Sequence, residues 1–200
     1  MAVIHKPAGV LVSGNNFKTI GNALAQNIQP STLPDATKPQ PVHRLDFATT
    51  GILLVGKSNS SIRALNKMFE TKEVEKTYYA VTIGEMKNSG QITSDIDEKK
   101  SQSNYRLIIS VSSKRYGKLN LVELKPMTGR RHQLRKHLSS INHPILGDSE
   151  YGIKQLILKG KGLYLHAFSL KFVHPFTQKE LYFEDGLPIK FQKLFPTEFI

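Results

Sequence analysis

The chain has 200 residues, 39% of them hydrophobic and 22% charged, enough for one sizeable core and marginal for two. It has no cysteine, which excludes a disulfide framework, a thiol nucleophile and a Cys-based zinc site. Lys and Arg number 28 against 16 acids, and the resulting net charge of +12 points to a polyanionic partner, most often nucleic acid. No apolar run approaches the roughly 20 residues of a membrane span and the N-terminus does not read as a signal peptide, so the expected compartment is the cytoplasm.

Val3-Ile4-His5-Lys6-Pro7-Ala8-Gly9-Val10-Leu11-Val12 reads as a strand, a Lys-Pro-x-Gly turn and a short second strand. A strand that starts at the initiator Met would fray unless paired, so a preceding strand is expected to be missing. Thr19 to Asn27 has the spacing of a short helix, with Ile20, Ala23, Leu24 and Asn27 in register. Gln29 to Pro41 carries four prolines and reads as a loop. It delivers the chain to Pro41-Val42-His43-Arg44-Leu45-Asp46-Phe47-Ala48-Thr49-Thr50-Gly51, and then to Ile52-Leu53-Leu54-Val55, a buried strand. Asp46 is thus expected on a loop entering the core, where a carboxylate is costly unless paired. Arg44 lies too close in sequence to be assumed its partner. A solvated turn and a functional site both fit this stretch.

Ser58 or Ser60 caps the next helix, with Ile62, Leu65 and Phe69 on its apolar face. In the strand from Val74 to Gly84, Tyr79, Val81 and Ile83 share the core face, and Tyr78 points the other way. An ordinary exposed tyrosine and a cleft-wall tyrosine both fit Tyr78. Met86 to Gln102 is polar, a loop or a weak hairpin. Arg106–Ser112 and Leu119–Lys125 are strands joined by a Lys-Arg-Tyr-Gly tip, where Lys114 and Arg115 suit contact with a phosphate backbone. Between Lys99 and Lys136 there are eleven Lys and Arg and one acid, Glu123, which makes a patch and implies salt-dependent binding. Thr128 is expected to cap a helix from Gly129 to Ser140 buried through Leu134, Leu138 and Ile141, with Arg131 and Arg135 four apart on one face. A solvated basic face is the common explanation for such a pair; an anion or carboxylate at the helix start is the other. A long strand from Leu163 to Phe172 holds His166 in the core or a cleft wall. Leu181 to Glu184 is another strand, and Pro188 opens a short final helix carrying Ile189, Phe191, Leu194 and Phe195.

Strand-rich order with few helices and no βαβ alternation argues for an α+β fold: a mixed, mostly antiparallel β-sheet core flanked by a few helices and loops, as one domain over residues 1–200. There is no P-loop, dinucleotide fingerprint or nucleophile elbow. His132 and His137 are five apart, off one helix face, so no metal site is expected. What remains is a carboxylate beside an arginine, a tyrosine, an arginine-bearing helix and a basic patch.

His43-Arg44-Leu45-Asp46-x-x-Thr49-Thr50-Gly51 closely resembles the signature of the RluA-type pseudouridine synthase family, in which Ser is usual where Thr50 stands. Lys6-Pro7-x-Gly9, Lys76-x-Tyr78-x-Ala80, Thr128-Gly129-Arg130-x-His132-Gln133-Leu134-Arg135-x-His137, and Pro144-Ile145-x-Gly147-Asp148-x-x-Tyr151-Gly152 match in the family's order, as do Leu165-His166-Ala167 and His174-Pro175. The resemblance spans nearly the whole chain. It implies isomerisation of uridine to pseudouridine in rRNA or tRNA, without cofactor or metal. It implies Asp46 as the catalytic aspartate, Tyr78 stacked on the uracil and Arg135 in a salt bridge that keeps Asp46 ionised. Arg44 would hold the RNA backbone or fill the gap left by a flipped uridine. His43, Thr50, Arg130 and His132 join Lys114 and Arg115 as expected substrate or RNA contacts. A monomer without an obligate protein partner is the default expectation, and the expected form is one without an accessory RNA-binding domain before the catalytic one. The competing reading is a catalytically idle RNA-binding or ribosome-assembly protein on the same fold.

Overall fold

The computed structural model describes residues 1–158 and 160–195. In chain order its elements are β1 (Ala2–Lys6), α1 (Ile20–Asn27), β2 (Ala36–Pro41), β3 (Thr50–Ser58), α2 (Asn59–Glu70), β4 (Glu75–Ile83), β5 (Ser89–Ile96), β6 (Lys99–Ser113), β7 (Gly117–Pro126), α3 (Gln133–Ser140), β8 (Leu165–Val173), β9 (Glu180–Glu184) and α4 (Ile189–Gln192). The pairings within each unit are antiparallel, and the few helices bear out the α+β reading. The chain divides into two compact units. The first comprises Met1–Glu75 and Ser169–Asp185; the second comprises Lys76–Phe168 and the described residues from Gly186 onward.

The first unit is built on β3. Its apolar run is buried on both faces, with Ile52 4% exposed and Leu53, Leu54 and Val55 wholly buried. β1 runs antiparallel along it from Ala2 opposite Val55 to Lys6 opposite Gly51. Helix α2 starts at Ser58, whose hydroxyl accepts from the Ser61 backbone N–H while the Ser61 hydroxyl accepts from the Ser58 N–H. That reciprocal cap supplies two otherwise unsatisfied helix-end donors. The helix packs so closely that a Cβ on Gly56 would lie 2.5 Å from Ile62 Cγ1. Val42, Ile52, Leu54, Leu65, Met68, Val74, Leu170 and Phe172 form the core between them. Truncating a wholly buried member such as Leu65 to Ala costs about 2–5 kcal/mol.

In the second unit the strand order is β4-β7-β6-β5. β5 and β6 form a hairpin whose turn residues, Asp97 and Glu98, both have positive φ (51° and 61°), the signature of a two-residue hairpin turn. β6 and β7 pair from Ser103 opposite Pro126 to Ser113 opposite Gly117, with an irregularity between Leu107 and Ile109. The Val81 N–H donates to Tyr164 O (3.1 Å) and the Leu146 N–H to Val81 O (2.8 Å), which draws the segment after α3 onto β4. Phe191 of α4 is wholly buried beside Tyr164.

Several local expectations change. The segment Gln29–Pro41 is not loop throughout: its last six residues are β2, which pairs with β3 through an irregular register because Pro39 and Pro41 have no N–H to give. The expected strand at Val10–Val12 is reduced to a single bridge, Leu11 with Thr19. Residues 86–102 contain β5 and the start of β6, so of the two alternatives it is the hairpin that forms. In β4 both faces are buried beyond Tyr79, since Ala80 and Thr82 are wholly covered as well as Val81. Thr128 does not cap α3. Its hydroxyl is committed to Gln133 Oε1 (2.6 Å) and to the Gln102 N–H (3.1 Å), and the helix begins only at Gln133, after His132 in left-handed conformation.

Candidate active site

The Asp46 loop belongs to the first unit, and its backbone is held from two sides. On one side the Val42 N–H donates to Leu54 O (3.1 Å), and the Leu54 N–H donates to His43 Nε2 (2.9 Å). The His43 ring also stacks on Phe69 at 4.5 Å. His43 thus fastens the loop to β3 and α2.

On the other side stands Lys6, at the end of β1 and wholly buried. Its ammonium donates to the carbonyls of Pro7 (2.8 Å), Phe47 (3.3 Å) and Thr49 (2.9 Å). Three carbonyls match its three protons. The Gly9 N–H also donates to Phe47 O (2.8 Å), and Gly9 reaches that position at φ 82°. This explains the Lys-Pro-x-Gly turn: its lysine and its glycine both bind the Asp46 loop. Burial lowers the Lys6 pKa to about 8, against an opposing pull from the nearby Asp46 charge. Sequence reasoning noticed the motif and missed this role. A lysine at the end of an apolar strand is the signal that was available.

Asp46 itself is partly exposed, not buried, with a turn closing from the Thr49 N–H to Asp46 O (3.1 Å). Val42, Leu45 and Thr49 are buried, whereas Arg44 and Phe47 face solvent. Thr50 is the partly buried first residue of β3.

Tyr78 and Arg135 belong to the second unit. Tyr78 is partly buried on β4, opposite Leu124 of β7. Arg135 is 6% exposed on α3 and makes a two-pronged bridge to Asp148, Nε to Oδ2 and Nη2 to Oδ1, both 2.8 Å. Nη2 also reaches Glu150 Oε2 at 3.2 Å, and the guanidinium lies over the Tyr151 ring at 4.8 Å. Burial pushes the Asp148 carboxyl up. The Arg135 hydrogen bond and the backbone N–H groups of Tyr151 and Glu150 outweigh it and hold the group below its ordinary value. Tyr151 is pushed up to about 12 by burial and by the neighbouring Glu150 carboxylate. His132 Nδ1 lies 3.0 Å from the Tyr151 hydroxyl. Gln133 ties this end of α3 to β6: its amide donates to Gln102 O and Ser103 Oγ (each 2.9 Å), and its carbonyl accepts from Thr128 and the Arg130 N–H.

Within the basic segment the single acid, Glu123, is taken up by a two-pronged bridge to Arg106 (3.1 and 3.2 Å). Lys114 and Arg115 are exposed at the β6–β7 tip, and Arg130 is exposed before α3. Among the described residues, no group of three or more His, Cys, Asp or Glu is placed to hold a metal ion, and no helix is long and apolar enough to cross a membrane.

Against known proteins, the family model described as RNA pseudouridylate synthase matches residues 1–140. Ribosomal large subunit pseudouridine synthase C of Pasteurella multocida is 34% identical, over 97% of this chain and 64% of its own length. The Vibrio vulnificus protein of the same name is 31% identical, over 90% and 61%. The chain thus spans less than two thirds of these relatives. Among solved structures, human RNA pseudouridylate synthase domain containing 4 superposes with a TM-score of 0.75 at 26% identity, covering 95% of this chain and 86% of its own.

Proposed function

The chain belongs to the RNA pseudouridylate synthase family, and from that membership we propose that it isomerises uridine in RNA to pseudouridine, with Asp46 as the catalytic carboxylate. One observation carries the reading: residues 1–140, the range matched by the family, contain Asp46, Tyr78 and Arg135, all in the sequence contexts that resemble the RluA-type signature. The names of the relatives favour large-subunit ribosomal RNA as substrate. In the reaction the N1–C1′ bond of uridine breaks, the uracil turns, and a C5–C1′ bond forms to the same sugar. C5 loses a proton and N1 gains one, so no oxidant or energy source is consumed. The target uridine must leave the stack for its sugar and base to be reached, at a cost of a few kcal/mol.

The proposed division of labour follows the residues. Asp46 reacts with the flipped nucleotide. Tyr78 stacks on the uracil, and Arg135 is the counter-ion of Asp46. Arg44, Thr50, Arg130, His132, Lys114 and Arg115 contact RNA, and His43 supports the loop from which Arg44 and Asp46 act. The chain works as a cytoplasmic monomer in one catalytic domain. The test is Asp46→Asn, with RNA binding and pseudouridine formation measured side by side. Retained binding with no product is expected. Normal conversion by Asp46→Asn would sink the assignment of Asp46, and tight binding without product by the wild type would favour the idle reading.

A further inference from the structure

Phe47 is 55% exposed, immediately after Asp46, in a loop that is otherwise tied down. Its carbonyl is held by the Gly9 N–H (2.8 Å) and the Lys6 ammonium (3.3 Å), so the backbone beneath the ring is fixed. Of its neighbours, Val42, Leu45 and Thr49 point inward and are 6%, 5% and 2% exposed. His43 is engaged by the Leu54 N–H and by Phe69. Only Arg44 and Phe47 of residues 42–49 are exposed, one on either side of Asp46 in the chain. A lone exposed apolar side chain means little by itself. A large aromatic ring on an anchored backbone, paired with a guanidinium and adjacent to a reactive carboxylate, matches the chemistry of single-stranded RNA: a π-face for a base and a cation for the phosphate beside it.

We propose that Phe47 is a stacking platform for an unstacked base flanking the target uridine, and so a residue that selects and positions the substrate. The proposal rests on the reading that the Asp46 loop receives RNA. Withdrawing a uridine from its stack leaves neighbouring bases with a bare face. A ring on an anchored backbone takes such a face with little loss of side-chain freedom, since phenylalanine has only two rotatable bonds. Because stacking is not a charge interaction, it contributes affinity without contributing to the salt slope.

The experiment measures Kd for a large-subunit ribosomal RNA transcript at several salt concentrations, together with pseudouridine formation, for wild type, Phe47→Ala, Phe47→Leu and Phe47→Tyr. Phe47→Ala is expected to weaken binding about 5- to 150-fold with the salt slope unchanged. Tyr, which keeps the ring, is expected to restore binding, and Leu, which keeps only apolar bulk, is not. Thermal melting of all four proteins reports any loss of the fold. A Kd for Phe47→Ala within two-fold of wild type, or full recovery by Leu, overturns the proposal. If wild type makes pseudouridine while Phe47→Ala binds normally, the platform is wrong and the catalytic reading stands. If binding depends on Phe47 while wild type makes no product, the platform stands and the catalytic reading falls. A wild type that neither binds nor converts the transcript overturns both.

Discussion

Lys6 is the most informative residue to perturb, because its burial has a pH signature. Its pKa falls from 10.5 to about 8 on folding, with burial as the main cause. A lysine with a depressed folded pKa holds fewer protons in the native state than in the unfolded one between pH 8 and 10.5. Stability therefore rises with pH across that window, and the cost of the buried ammonium is fully present below pH 8. At ~1.36 kcal/mol per unit the whole shift is about 3 kcal/mol, most of which is recovered by pH 10. Replacing Lys6 by Met removes this cost but strands the buried carbonyl of Thr49, at about 1–3 kcal/mol for a buried unsatisfied group. Urea unfolding of wild type and Lys6→Met, each at pH 7, 8, 9 and 10, isolates the effect, because the other lysines and tyrosines cancel in the difference. The stability of the variant relative to wild type is expected to fall by about 2–3 kcal/mol between pH 7 and pH 10, because only wild type gains stability as its lysine deprotonates. Wild-type and variant stabilities that run parallel from pH 7 to 10 would refute the reasoning.

Two further outcomes follow from the second unit. Replacing Lys114 and Arg115 together with Ala is expected to weaken RNA binding and to reduce the salt slope by about 1.4 for a single-stranded contact, read from Kd over a salt series; an unchanged slope takes the β6–β7 tip out of the interface. Gly147 stands at φ 78°, and a Cβ there would lie 2.0 Å from Gly162 O, a backbone atom. Gly147→Ala is therefore expected to cost more than about 2 kcal/mol in denaturant unfolding, and to cost activity as well, because Asp148 follows directly.

What could be read from the chain beforehand was whatever local periodicity or local chemistry determines. Ile52–Val55 announced a buried strand, Ser58 or Ser60 announced a helix cap, and the alternation of β6 and β7 announced a hairpin with a basic tip. What failed was set by contacts distant in sequence. Thr128 has the identity of a cap, but Gln133 and the Gln102 N–H claim its hydroxyl, and nothing near Thr128 in sequence reveals that β6 lies beside it. β2 was hidden by its prolines, which argue against a central strand and are tolerated only where the ladder is broken. At the site, the residue types were legible and their partners were not. Lys6 sits 43 residues from Thr49, and the lysine looked like part of a turn when it is the support beneath a loop.

The same distinction bears on how Arg135 is held. The family resemblance implied Arg135 as the partner of Asp46. In the structure Arg135 is gripped by Asp148 through two 2.8 Å bonds and approached by Glu150 at 3.2 Å. Two carboxylates on one guanidinium leave a local sum of one negative charge. Asp148 therefore does for Arg135 what Lys6 does for the Asp46 loop: it fixes orientation in advance, so that no reorganisation is required when a nucleotide arrives. Lys6 lies within electrostatic reach of Asp46 in the same unit. Its ammonium donates to the Phe47 and Thr49 carbonyls of that loop and to the Pro7 carbonyl of its own turn. The Lys-Pro-x-Gly turn is thus the support beneath the loop that carries Asp46, through the Lys6 ammonium and the Gly9 N–H.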